Sequence, residues 1–154
     1  FRGHVSLDGA DFEAVRTAME QPQPRVALGL GLRGLASAAI DVSDGLVGDL
    51  GHVLRRSGVG AEILLADLPI SPVLARRPLQ QQWQCCLAGG DDYELLFTAP
   101  PVAGAAVQAA AVAAGVGVRC IGRITAEPDL RLLDGQGRLV PLQLQGFDHF
   151  AAGV

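Results

Sequence analysis

The chain has 154 residues, of which 49% are hydrophobic and 18% charged, and its formal net charge is −4 at pH 7. This composition predicts one globular domain with a full core over residues 1–154 and excludes a disordered chain. The negative charge argues against bulk nucleic-acid binding, and no run approaches the roughly 20 apolar residues that a membrane span needs. Because the chain starts at Phe1 without Met or a signal peptide, we expect that a portion upstream of it exists.

The three cysteines, Cys85, Cys86 and Cys120, form no CxxC pair and no metal-ligand spacing. An odd number of cysteines with one adjacent pair predicts reduced, buried thiols. Reduced thiols are typical of a cytoplasmic protein, and we therefore expect that location.

Two stretches precede the first predicted strand. Residues 7–20 predict a helix with Asp8 or Asp11 near its start and apolar residues on one face, which the prolines at positions 22 and 24 end. Residues 29–34 then match the pattern GxGxxG. A dinucleotide fingerprint needs a preceding strand, a following helix and an acidic residue about 20 positions further on. Here the next predicted strand ends too soon, at Asp41, so dinucleotide binding is not expected.

The chain is organised around residues 38–50, Ala-Ala-Ile-Asp-Val-Ser-Asp-Gly-Leu-Val-Gly-Asp-Leu. Residues 38–42 are small and apolar with a β-branched bias, which predicts a short buried strand. Residues 43–45 favour a turn or a helix N-cap. From Leu46 onward, apolar residues recur at helical spacing until a glycine ends the helix near position 58. The sequence therefore predicts a strand, a tight turn and a helix.

Three carboxylates, those of Asp41, Asp44 and Asp49, cluster at this junction. A helix N-terminus offers free N–H groups and a positive dipole end to a phosphate. Carboxylates in the same place suit Mg²⁺, which prefers oxygen ligands and accompanies nucleotide phosphates. Plain helix capping is the alternative, but like charges repel unless a cation offsets them. We therefore favour a phosphate-and-metal site, in which Asp49 is either a ligand or an acid that supports the ligands or caps the helix.

The remaining elements predict an α/β domain with a mixed β-sheet and helices packed on it. Strands are predicted at three further places, residues 61–68, 93–98 and 116–124. Two more helices are predicted, a short one that Ser71 caps and that runs through Leu79, and an alanine-rich one over residues 102–114. Residues 130–140 predict a β-hairpin whose turn signal is Asp134-Gly135.

A second glycine-plus-acid junction precedes the strand predicted at residues 93–98. It begins with Gly89 and Gly90, and paired glycines allow close approach to a ligand or a positive φ. Without a partner site, the sequence favours a simple tight turn here.

Four motifs occur in order, and together they resemble one family. They are Ile-Asp-Val-Ser-Asp-Gly-Leu from residue 40, Ser-Gly-Val-Gly-Ala from 57, Gly-Gly-Asp-Asp-Tyr-Glu-Leu-Leu-Phe-Thr from 89 and Gly-Phe-Asp-His-Phe from 146. The set resembles the C-terminal domain of the thiamine-monophosphate kinase family. That family belongs to the ATP-binding superfamily that includes aminoimidazole ribonucleotide synthetase. The resemblance covers about residues 24–150.

The resemblance implies an enzyme that transfers the γ-phosphate of ATP to thiamine monophosphate, with several Mg²⁺ ions between the substrates. It also implies a homodimer with two α/β domains per subunit. The N-terminal domain, which this chain lacks, would supply most metal-binding aspartates, much of the ATP site and the dimer core. We therefore expect the isolated chain to fold without turning over.

The resemblance also implies roles for individual residues. Asp41 and Asp44 match Mg²⁺ ligands and Ser43 matches an ATP contact. Asp91 and Phe147 match positions that contact thiamine. The family usually has Glu where this chain has Asp91, so the carboxylate is kept on a side chain that is one methylene shorter.

Two alternative functions remain open at this point. The first is an enzyme of the same superfamily with another substrate, such as selenophosphate or purine-precursor synthesis, against which residues 89–98 and 146–150 argue. The second is a non-catalytic ligand-binding module, which gains weight only if the natural gene begins at Phe1.

Overall fold

The computed structural model describes residues 7–90 and 93–141. The helices in this part of the chain are α1 (Gly9–Glu20), α2 (Val26–Gly31), α3 (Leu46–Ser57), α4 (Pro72–Ala75), α5 (Leu79–Ala88) and α6 (Gly104–Ala114). The strands are β1 (Ala38–Val42), β2 (Gly60–Leu64), β3 (Glu94–Thr98), β4 (Gly122–Thr125) and β5 (Leu130–Leu133). Short 3₁₀ turns lie at Leu65–Asp67 and Pro101–Ala103.

The described strands form two sheets. β1 pairs with β3 in antiparallel orientation, so that Asp41 lies opposite Leu95. In the other sheet β2 is central, antiparallel to β4 and parallel to β5. The predicted mixed sheet with helices packed on it is therefore confirmed, and the β1–β3 pair forms a separate sheet. Over residues 7–90 and 93–141, no helix is long and apolar enough to cross a membrane.

Two hydrophobic cores flank strand β3. The first core joins α3 and α5 to β2 and β5, and its buried members include Leu46, Leu50, Leu54, Ile63, Leu87 and Leu132. The second joins α2 to α6 through Leu28, Leu32, Val107 and Ala111. Because side chains alternate along a strand, Leu95 and Phe97 pack against the second core while Leu96 packs against the first. Strand β3 therefore connects the two halves of the fold.

Several predicted helix boundaries are confirmed with their caps. Asp8 is the N-cap of α1, and its Oδ1 accepts the N–H of Asp11 at 3.0 Å. Helices α3 and α6 end at glycines in the left-handed conformation, Gly58 with φ 65° and Gly115 with φ 67°. A residue without Cβ adopts this conformation readily, which is why the glycines marked these ends in the sequence.

Two predicted elements have the wrong boundaries. The strand predicted at residues 61–68 ends at Leu64, because Leu65 and Leu68 are both buried, and a spacing of three residues suits a 3₁₀ turn. The helix predicted from Ser71 through Leu79 is divided into α4 and α5 by Pro78, although Ser71 does cap α4.

The strand predicted at residues 116–124 is wrong over most of its length. It pairs only from Gly122, where β4 begins. Just before β4, the carbonyl of Ile121 still accepts the N–H of Leu64 at 2.8 Å, but Val116 and Val118 pack against the second core instead of extending the strand.

The predicted C-terminal hairpin is confirmed, with a different turn. The N–H of Val140 donates to the carbonyl of Leu132 at 2.8 Å, which closes the hairpin. The carboxylate of Asp134 accepts the N–H groups of Gln136 and Arg138, and the positive φ of 75° lies at Gly137. The expectation of buried thiols is wrong, because two of the cysteines are exposed and the third is half-buried.

Candidate functional site

The candidate site is the turn between β1 and α3, whose backbone depends on Gly45. This residue has φ 102° and ψ 149° and immediately precedes the first residue of α3. A Cβ at this position would lie 3.0 Å from the backbone of Ala88, at the end of α5. Glycine is therefore required for two reasons, the backbone conformation and the close approach of α5.

The side chain of Asp49 holds the turn from the helix side. Asp49 lies in the first turn of α3 and is 3% exposed. Its Oδ2 accepts the backbone N–H of Ser43 at 2.9 Å and that of Asp44 at 3.0 Å. Gly45, the N-cap of α3, has no side chain with which to cap the helix. Of the two roles that the sequence left open for Asp49, the structure favours the one that caps the backbone.

The two other carboxylates of the junction face solvent. Asp41, at the end of β1, and Asp44, in the turn, are both exposed. In residues 7–90 and 93–141, no three side chains of His, Cys, Asp or Glu lie where they could hold one metal ion. The expectation that three carboxylates cluster here is therefore wrong for Asp49, which is buried against the backbone.

The two glycine-plus-acid junctions of the sequence meet at this turn. A Cβ on Gly90 would lie 2.3 Å from the carbonyl oxygen of Ser43. Gly90 thus allows the chain after α5 to approach the turn closely, so the simple tight turn that the sequence favoured does not account for this glycine. Asp91 follows directly, but it lies outside the described residues, as does Phe147.

An open groove of about 420 Å³ adjoins the turn on the side of Asp41. Tyr93, Leu95 and the segment that precedes α2 also line it. Arg25 in that segment donates from Nε to Oε2 of Glu94 at 2.8 Å and from Nη2 to Oε1 at 2.5 Å. The hydrogen bonds to Glu94 raise the pKa of Arg25 above its ordinary value. This pair joins the start of α2 to the start of β3.

Apart from Asp41, sequence reasoning missed the residues of this groove. Arg25 and Glu94 are 69 positions apart, and neither belongs to a local pattern that indicates pairing. Tyr93 has a positive φ of 51°, which is uncommon for a non-glycine residue and has no signal in the sequence. Only the position of Tyr93 and Glu94, directly after the glycine-plus-acid junction, pointed towards this region.

Comparison with known proteins yields one family and several relatives. The family described as "AIR synthase related protein, C-terminal domain" matches residues 2–135. Thiamine-monophosphate kinase from Escherichia coli (strain K12) is 44% identical over 132 residues, which cover 85% of this chain and 41% of the relative.

Two solved structures resemble the fold over most of the chain. Thiamine-monophosphate kinase from Stenotrophomonas maltophilia K279a has a TM-score of 0.78 and 39% identity, covering 88% of this chain and 42% of that one. AaThiL complexed with AMPPCP and TMP has a TM-score of 0.67 and 27% identity, with coverages of 90% and 42%. The chain thus spans less than half the length of the relatives that it matches.

Proposed function

Because the chain belongs to the family of C-terminal domains of AIR synthase related proteins, we propose that it is the C-terminal domain of a thiamine-monophosphate kinase. In this proposal it completes the site at which the γ-phosphate of ATP is transferred to thiamine monophosphate, giving thiamine diphosphate. The observation that carries the proposal is the 44% identity to a thiamine-monophosphate kinase across 85% of this chain. The relative solved with AMPPCP, an ATP analogue, and TMP supports the same pair of substrates.

The turn between β1 and α3 suits a phosphate and its cation. Phosphoryl transfer depends on positioning and on neutralising the charge of phosphate oxygens, so it needs no protein nucleophile. The N–H groups of Ser43 and Asp44 are taken by the Asp49 carboxylate. The N–H of Asp49 donates to the carbonyl of Gly45 at 3.0 Å, so the first-turn N–H groups of residues 46–48 have no intrahelical acceptor and suit an anion. We assign Ser43, which leads into this helix, as the contact to ATP.

Asp41 and Asp44 are the residues that would hold Mg²⁺. Both are exposed carboxylates, and Mg²⁺ is commonly bound by one or two carboxylates, with phosphate oxygens and water completing its octahedron. The donor set of this chain therefore fits part of a Mg²⁺ site. When bound, Mg²⁺ would neutralise charge on the phosphate oxygens.

We further propose that Asp91 and Phe147 recognise thiamine. The thiazolium ring is a permanent cation, and a carboxylate and an aromatic face are its natural partners. The substitution Phe147→Ala should raise the KM for thiamine monophosphate about 2- to 30-fold and leave the KM for ATP nearly unchanged. Asp91→Glu, which restores the side chain usual in the family, should be tolerated, whereas Asp91→Ala should raise the same KM selectively. Equal changes in both KM values would refute the assignment.

The proposal extends to the assembly of the protein. We propose that an N-terminal domain precedes this single C-terminal domain, because the chain covers 41% of the length of its Escherichia coli relative. From the family resemblance we also propose that the whole protein is a cytoplasmic homodimer. The natural reading frame upstream of Phe1 and light scattering on its product test these points. The isolated chain should produce no thiamine diphosphate. Measurable production by it would contradict the proposal that the site needs residues of an N-terminal domain.

A substrate screen tests the function itself. The natural gene product that carries this chain is supplied with ATP, Mg²⁺ and one acceptor at a time, namely thiamine monophosphate, thiamine, selenide or a purine precursor. ADP release and thiamine diphosphate should appear only with thiamine monophosphate. Turnover with another acceptor alone would indicate a different enzyme of the superfamily. Tight binding of a ligand without turnover of any acceptor would indicate a non-catalytic module.

A further inference from the structure

We propose that Asp49 is the positioning residue of this site, because it fixes the backbone from which Ser43 and Asp44 extend. The inference rests on the proposed function and adds to it a residue that contacts neither substrate nor metal. It separates Asp49 from Asp41 and Asp44, although all three carboxylates lie within one short motif.

The position of Asp49 is set by the first hydrophobic core. Helix α3 buries Leu46, Leu50 and Leu54 in that core, and Asp49 lies on the same helix with 3% exposure. Burying a carboxylate is unfavourable unless hydrogen bonds compensate for the lost water. Here the compensation comes from the N–H groups of Ser43 and Asp44, at 2.9 and 3.0 Å from one carboxylate oxygen. Hydrogen bonds to an ionised acceptor are roughly twice as strong as neutral ones.

The end of α5 restrains the same turn from the other side. The backbone of Gly90 packs so closely on the carbonyl of Ser43 that a Cβ would lie 2.3 Å from the oxygen. The N–H of Ser43 is thus held by Asp49 and its carbonyl is bounded by Gly90. With both groups fixed, the Ser43 and Asp44 side chains extend from a backbone with little freedom to move. Removing the Asp49 carboxylate would leave two N–H groups without that acceptor and allow the turn to shift.

Glu62 provides a matched control, because it is the other buried carboxylate among the described residues, at 8% exposure. It lies on β2 in the three-stranded sheet, where Arg123 on β4 and Arg131 on β5 each contact it at 2.6 Å. Its removal also costs ion pairs and stability, but it touches no residue of the turn. A comparison of Asp49→Ala with Glu62→Ala therefore separates positioning from stability.

The experiment measures three quantities on the natural gene product: the thermal unfolding midpoint, the Kd of AMPPCP with Mg²⁺ by calorimetry, and the kcat for thiamine monophosphate. Asp49→Ala should raise the Kd about 10- to 150-fold, the factor carried by a hydrogen bond to a charged group. It should also lower kcat about 10²-fold, as expected for a small misplacement of reacting groups. Asp49→Asn keeps one carbonyl oxygen as an acceptor and should recover most of both losses. Glu62→Ala should lower the unfolding midpoint and leave Kd and kcat within about twofold of wild type.

The outcomes separate the positioning role from the proposed function. If Asp49→Ala lowers only the unfolding midpoint, or if Glu62→Ala lowers kcat equally, Asp49 has no positioning role. If wild type binds AMPPCP with Mg²⁺ but does not phosphorylate thiamine monophosphate, the proposed function fails. In that case the Kd values of the variants still decide the role of Asp49. If wild type binds no AMPPCP, both the site and the positioning role are refuted.

Discussion

The substitution Gly90→Ala tests whether the close contact between α5 and the turn shapes the site. A Cβ on Gly90 would lie 2.3 Å from the carbonyl oxygen of Ser43, whereas a Cβ atom essentially never lies within 3.0 Å of such a neighbouring atom. The turn or the end of α5 must therefore move by about 0.7 Å. Gly90 does not have a positive φ, so alanine fits its backbone conformation and the contact alone is tested. Because Gly90 is exposed, part of the strain relaxes towards solvent, and we expect a stability loss of about 1 kcal/mol.

The effect on activity should be larger than the effect on stability. A displacement approaching 1 Å at a reacting group can cost about 10²-fold in rate, so we expect kcat/KM to fall about 10- to 100-fold. The assay is ADP release with thiamine monophosphate, performed well below the unfolding midpoint of each variant. Gly104→Ala is the control, since a Cβ there meets nothing within 4 Å and the residue has helical dihedrals. It should leave kcat/KM unchanged and raise stability by about 0.4–1 kcal/mol. A Gly90→Ala variant with kcat/KM within twofold of wild type would show that the contact does not shape the site.

Three further substitutions are predicted to have distinct effects. Asp41→Asn should lower kcat by orders of magnitude and be partly rescued by higher Mg²⁺ or by Mn²⁺; a normal kcat with unchanged metal dependence would make Asp41 a structural residue. Leu87→Ala empties a position that is 0% exposed and should cost about 2–5 kcal/mol in the free energy of unfolding, measured by urea denaturation, so a loss under about 1 kcal/mol would argue against this core. The bonds from Arg123 and Arg131 lower the pKa of Glu62, so its stabilisation is present above the ordinary Glu pKa of about 4.3 and is lost as the pH falls through the lowered value. Glu62→Gln should therefore lower the unfolding midpoint at pH 7, with a difference from wild type that shrinks below about pH 4; a constant difference would contradict the ion pairs.

Local signals predicted the elements that local chemistry determines. Asp8 and Gly58 marked helix ends because capping depends on the few residues around each end. The strand, turn and helix over residues 38–50 were likewise predicted from patterns within the segment. Where tertiary packing determines the structure, the prediction from sequence was wrong. Val116 and Val118 have a strand-like pattern, but their side chains pack against the second core.

The candidate site was predicted in its position but only partly in its architecture. The sequence placed three aspartates at one junction but did not show which way each carboxylate points. The structure separates them, because Asp49 is buried against the backbone of the turn while Asp41 and Asp44 stay exposed. The approach of Gly90 to Ser43 depends on how α5 packs against α3, and no local pattern encodes that contact.

Amide hydrogen exchange on the natural gene product, with and without AMPPCP and Mg²⁺, tests whether nucleotide and cation bind at the turn between β1 and α3. With the analogue at about 100 times its Kd, exchange in peptides spanning residues 41–50 should slow by up to about 100-fold, because binding suppresses local opening. Peptides spanning residues 122–133, which include β4 and β5, serve as the internal reference, and their amides should slow only where they exchange through global unfolding. Unchanged exchange over residues 41–50 in a protein that calorimetry shows to be saturated would contradict binding at this turn.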